Sequence, residues 1–155
     1  MQSPSVTCLF CEDLREEKSE QNTLIGILPD NVAVLAFPGV MPKLAIYVRI
    51  HLDAASSIPK AIVAKLISTD GQEIDLPSWD MAVIDKAFID AKANGTPLVG
   101  LVLRAVLAPL PISKAGVMVV KAIIDGTEYV AGNLRFIAAP ATASAPPALQ
   151  SPSAS

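Results

Sequence analysis

At 155 residues the chain has the length of one ordinary domain. Its 12 lysines and arginines against 15 aspartates and glutamates leave a net charge of −3, which excludes the concentrated positive field that phosphate backbones require. Apolar residues at 52% and charged ones at 17% exclude disorder for the bulk of it, although 23 alanines soften that apolar share.

Taken in order, residues 1–5 are expected to be loose, and the folded body to span 6–138. A first strand runs through V-T-C-L-F-C-E-D, and the polar stretch Glu17–Asn22 turns it into a second, Leu24–Leu28. Leu44, Ile46, Val48 and Ile50 then alternate with Ala45, Tyr47, Arg49 and His51, the period of a half-buried strand. Ala61–Thr69 is another short apolar strand, closed by the Asp70-Gly71 turn dipeptide. Between Asp80 and Asn94 the period changes. Met81, Ile84, Phe88 and Ala91 recur at three- and four-residue spacing, which predicts a helix over about 80–94, with Ser78 or Asp80 as N-cap and Gly95 as its end. Period two returns in Leu98–Leu107, in Val117–Ile124 and, after Asp125-Gly126, in the strand carrying Val130, Leu134 and Phe136.

About seven strands joined mostly by tight turns, with one inserted helix, predict a mainly β protein: an antiparallel, immunoglobulin-like β-sandwich. The closing stretch K-A-G-V-M-V-V-K-A-I-I-D-G-T-E-Y-V-A-G-N-L resembles the last hairpin of immunoglobulin-like domains, with Met118 where an aromatic residue is commoner. From Ala139 onward the chain is uncharged and rich in alanine, proline and serine, so residues 139–155 are expected to be a disordered tail.

Nothing at Met1–Phe10 has the positive and apolar regions of a secretory signal. The most apolar run, Pro97–Ile112, is interrupted by Arg104 and closed by Pro109 and Pro111, short of a membrane span. The expectation is a cytoplasmic protein, with no membrane or nucleic-acid partner, whose Cys8 and Cys11 are reduced.

The opening C-L-F-C-E-D-L-R-E-E-K-S-E-Q-N-T-L-I-G-I-L-P-D and the later P-G-V-M-P-K-L-A-I-Y-V-R-I resemble an uncharacterised group of bacterial proteins, a domain of unknown function. Its members open with an acidic-arginine-acidic strand followed by a turn and L-I-G, here C-E-D-L-R-E-E and then Leu24-Ile25-Gly26. They share a mid-chain helix and a terminal G-x-x-x-V-x-x-x-x-D-G hairpin. The resemblance covers roughly residues 6 to 137. It implies a cytosolic β-sandwich from bacteria or their phages, and it implies no activity, ligand or catalytic residue.

Few residues present themselves as chemistry. Cys8 and Cys11 form C-x-x-C, but redox thiols of that spacing open a helix, and on a strand positions 8 and 11 point to opposite faces. They read as two small apolar side chains. Zinc would need four ligands, and only Cys8, Cys11, His51 and a carboxylate offer themselves, so no metal and no cofactor is expected. Glu12, Asp13, Arg15, Glu16 and Glu17 read as a solvated strand end rather than an acid–base pair. His51 has no nucleophile motif near it, and the glycines form no phosphate loop, so no catalytic residue is assigned.

The segment to follow is N-V-A-V-L-A-F-P-G-V-M-P, residues 31–42, which carries no charge. Either it crosses between the two sheets and is buried, or it leaves an apolar surface that a partner covers. Phe37, Val40, Met41 and Trp79 are the candidate interaction surface, although Trp79 most simply anchors the helix on the sheet and would strengthen docking only if exposed. The leading expectation is a non-enzymatic module that binds another protein or its own copy. A small-ligand pocket between helix and sheet is the alternative, and a thiol or metal site at Cys8 and Cys11 the third.

Overall fold

Alternation decides the layers. In β5 (Leu44–Asp53) every second side chain from Leu44 to Leu52 is buried, and in β8 (Leu98–Leu107) Val99, Leu101, Leu103 and Ala105 repeat the pattern beside it. Opposite them lie Ile62, Ala64 and Leu66 of β6 (Ile62–Ile67), Met118, Val120, Ala122 and Ile124 of β10 (Gly116–Ile124), and Leu134 and Phe136 of β11 (Thr127–Ala138). All of them join one apolar core. Two stacked sheets bury one face each, which is what period two requires.

The computed structural model describes residues 2–140, and the expected tail lies beyond them from Ala141 onward. Among the described residues the chain forms eleven strands and one helix. The seven strands read from the sequence are all present: β1 (Ser5–Glu16), β2 (Asn22–Ile27), β5, β6, β8, β10 and β11. Four short ones join them: β3 (Asn31–Val34), β4 (Gly39–Met41), β7 (Glu73–Asp75) and β9 (Leu110–Ile112). One sheet has the order β2-β1-β5-β8, the other β3-β11-β10-β6-β7, and β4 pairs with β9 in a two-stranded ribbon.

The expectation of uniform antiparallel pairing needs correction. β3 runs parallel to β11, with Asn31 beside Arg135 and Val34 beside Ala138. The reason is the route of the chain: β3 is reached by crossing over from the other sheet, not by a hairpin. The limits of the body also move slightly outward. β1 starts at Ser5, the Gln2 N–H donates to Asp53 Oδ2 at 3.3 Å, and the Ala139 N–H donates to the Val34 carbonyl at 2.8 Å.

Of the two Asp-Gly turns one is as read; in the other Gly71 alone takes positive φ (87°), within the longer connection 68–72 between β6 and β7. Asp125 and Gly126 both take positive φ (48° and 83°), the backbone that a two-residue hairpin between β10 and β11 demands. Helix α1 (Met81–Asn94) is capped by Asp80, whose carboxylate accepts from the Ala82 N–H at 3.1 Å, and ends at Gly95 in the left-handed region. Met81 is exposed, and Ile84, Phe88 and Ala91 make the buried stripe.

α1 connects β7, the last strand of one sheet, to β8, the last strand of the other, and so closes that flank of the sandwich. The Trp79 indole N–H donates to the Val102 carbonyl of β8 at 3.1 Å. On the opposite flank the outermost strands are β2 and β3, joined through Leu28–Asp30, with the Leu28 N–H on the Phe10 carbonyl at 2.8 Å.

The β1–β2 hairpin is longer than its support. Pairing of β1 with β5 ends at Cys11–Ala45, while its pairing with β2 continues to Glu16–Asn22. The free arm bends back over the outer face of its own sheet. There Arg104 of β8 reaches Glu16 Oε2 at 2.9 Å and donates to Asn22 Oδ1 at 3.0 Å.

Candidate functional site

The charge-free segment does cross between sheets, as β3, a bend at Leu35–Pro38, and β4. It does not close on itself. A cleft of about 430 Å³ lies between its two limbs, with Val32, Ala33, Val34, Leu35 and Ala36 on one side and Pro38 to Pro42 on the other. Ile112 and Phe136 complete the lining. A hollow on one face of a strand touches alternate residues, because the side-chain period is two. This one touches consecutive residues on both limbs, inward-facing Val32 and Val34 as well as outward-facing Ala33 and Leu35. Every lining side chain is apolar.

Glycine makes the tight return possible. A Cβ on Gly39 would lie 2.7 Å from the Ala36 carbonyl oxygen and 2.8 Å from a Val34 methyl, so any larger residue would push the limbs apart.

The four residues expected to form an interaction surface separate into three environments. Val40 is 62% exposed at the cleft. Phe37 and Met41 are half-buried and pack against the core, so they hold the segment more than they present it. Trp79 is a correction: it is 8% exposed and sits at the α1–β8 flank, bonded to Val102, because its indole finishes the sheet edge there. The residue missed is Leu35, 92% exposed. Its signal was alternation, since Val32 and Val34 face inward and an odd-numbered neighbour must face out.

The pocket expected between helix and sheet has a counterpart at the end of the helix. The helix stripe of Ile84, Phe88 and Ala91 is packed into the core, and a second hollow, of about 410 Å³, lies between the helix's C-terminal end and the end of β5, lined by Ala91, Lys92 and Gly95–Pro97 with Asp53–Ala55.

Cys8 and Cys11 occupy opposite faces of β1. Cys8 packs inward on the core, where a Cβ on Gly132 of β11 would come within 3.1 Å of the Cys8 Cβ. Burial pushes its thiol up to about 12, and the neighbouring Cys11 adds to the rise. Cys11 lies on the outer face, between Ile27 and Ala45 in register, with its Sγ 3.7 Å from the Ala45 carbonyl oxygen. Burial and then Asp13 raise its pKa, while the Ile25 N–H works the other way. Both thiols are thus held as neutral S–H, the opposite of what a redox nucleophile needs. His51 pairs with Ser5, beyond Cys8 and far along β5 from Cys11, and its ring rests against Gly100. Among the described residues no three of His, Cys, Asp and Glu gather where they could hold a metal ion.

The acidic run is dispersed. Asp13 is held below the usual carboxylate range, first by its hydrogen bond from Lys43 and then by the Leu14 N–H. Glu16 goes to Arg104, Glu17 Oε1 accepts from the Thr23 hydroxyl at 2.8 Å, and Glu12 lies over Gly26. No two carboxylates share one site. No helix among the described residues is long and apolar enough to cross a membrane.

Over residues 6–137 the chain matches the Family of unknown function (DUF6941), and it belongs to that family. No curated protein and no solved structure matches it.

Proposed function

We propose that this member of a family without an assigned activity is a non-enzymatic protein-interaction module. Its partner, another protein or a second copy, is held at the cleft between β3 and the 38–42 limb. The observation that carries the reading is the exposure of Leu35 (92%) and Val40 (62%) beside an uncharged hollow of about 430 Å³. Large apolar side chains rimming a concave apolar wall lose water on contact, worth about 25 cal/mol for each Å² covered. We place the protein in the cytoplasm of a bacterium, a reading supported by the unpaired thiols, and keep the immunoglobulin-like character on the strength of the β10–β11 hairpin.

A small ligand held between helix and sheet is the second reading, and the hollow at the helix end, at about 410 Å³, falls in the range of about 300–1,000 Å³ typical of ligand sites. It is weaker because no large exposed apolar side chain lines that hollow. The test is affinity purification from the native host with the wild-type chain and with Leu35→Asp/Val40→Asp. A protein retained by the former and released by the latter, at unchanged melting temperature, supports the proposal. Identical retention by both removes it.

A further inference from the structure

We infer that the cleft takes an extended, uncharged stretch of a partner polypeptide, added as one more strand along the free edge of β3. The inference rests on the cleft as the binding site and specifies what occupies it.

Hydrogen bonding at β3 shows which way its backbone faces. The Arg135 N–H donates to the Asp30 carbonyl at 3.0 Å and the Ala139 N–H to the Val34 carbonyl at 2.8 Å. With Asn31 beside Arg135 in a parallel ladder, the N–H and C=O groups of Val32 and Val34 turn toward β11. Those of Asn31, Ala33 and Leu35 turn the other way. Among the described residues no strand lies on that side of β3, and no loop or turn hydrogen bond of the backbone reaches them. Ala33 and Leu35, two of the three, are in the lining of the cleft.

Natural sheets guard such edges with lysine, proline, a bulge or a covering element. β3 has no lysine, proline or bulge; it is guarded only by its shortness, four residues Asn-Val-Ala-Val, and among the described residues no strand pairs with its outer side. The chemistry of the occupant follows. Unpaired amide donors and carbonyl acceptors at a spacing of about 6.6 Å, every second residue, match only another extended backbone. The lining carries no charge, so a charged side chain entering it would lose its hydration without a counter-ion. A thin segment also suits a space that lies between two limbs of chain.

The test uses a phage-displayed library of random peptides of about ten residues, panned on the full chain, with the enriched peptides then synthesised. The expected binders are uncharged and alternate apolar with small polar residues. N-methylation of every second amide, the set facing β3, should cut affinity at least about tenfold, the loss expected for one or more hydrogen bonds. Methylation of the intervening amides should leave affinity unchanged. Ala33→Pro should match the first loss without changing the melting temperature, because the Ala33 N–H serves no bond within the fold and proline is tolerated on an open edge. Failure to enrich any peptide, enrichment of charged ones, or indifference to both methylation patterns overturns strand addition. A dimer of the wild-type chain that Ala33→Pro dissociates overturns it too, since a second copy would then hold the edge. Binding that ignores methylation yet is lost in Leu35→Asp/Val40→Asp sinks only the strand geometry. Binding that survives that double change sinks the cleft itself.

Discussion

The two flanks of the sandwich solve the same problem differently. Where β7 and β8 end their sheets, the chain lays a helix across the gap, sinks Ile84, Phe88 and Ala91 into the core and caps a β8 carbonyl with the Trp79 indole. Where β2 and β3 end theirs, nothing comparable arrives. A bent, uncharged segment passes by, Leu35 stands in solvent and, among the described residues, one side of β3 has no paired strand. A closed flank contributes to stability, and an open one that the chain could have closed by similar means suggests use.

Four measurements test that contrast, from the largest effect down. Phe88→Ala should cost about 3–5 kcal/mol in urea unfolding, since Phe88 has no exposed surface and its loss leaves a cavity in the closed flank. A cost under about 1 kcal/mol would mean the helix is an ornament.

The second concerns dryness behind the open flank. Cys8 faces the core side of β1 near that flank, with its thiol at about 12 in the fold against about 8.5 in an unfolded chain. The unfolded state then releases its proton first as pH rises. The stabilisation is whole below about 8.5 and declines between there and the folded value, by up to ~1.4 kcal/mol per pH unit. Unfolding free energies at pH 8 and 10 should therefore differ more for the wild-type chain than for Cys8→Ala. Equal differences would show that water reaches the thiol.

Third, Trp79→Phe keeps a ring but removes the donor to Val102, at an expected cost of about 1–2 kcal/mol. Fourth, Leu35→Asp should leave stability within about 0.5 kcal/mol of wild type, because its side chain is already in water. A larger loss there would make the open flank structural.

How much of this the residues announce depends on how far apart the partners lie. The long strands declare themselves through alternation, the helix through Ile84, Phe88 and Ala91 with Asp80 and Gly95 at its ends, and the hairpins through Asp-Gly pairs. Strands of three or four residues, such as β4 and β9, hold too few positions to show a period. Segment 31–42 stands out by its lack of charge, yet its opening could not be read there, because Ile112 and Phe136 come from distant parts of the chain. Cys11 hides for a similar reason: its neighbours Ile27 and Ala45 come from other strands, and the bend of the hairpin arm is pinned by Arg104, far along the chain. Trp79 was open to two readings, and only the carbonyl of Val102 decides between them.

The parallel seam between β3 and β11 also imposes an order of events. During translation Asn31 leaves the ribosome long before Arg135 exists to lie beside it, so β3 must wait for nearly the whole described chain before it has a sheet to join. Phe136, in the lining of the cleft, arrives with the same late strand. A chain that ends before β11 therefore has no finished cleft, since both the seam that holds β3 and the Phe136 wall are missing from it.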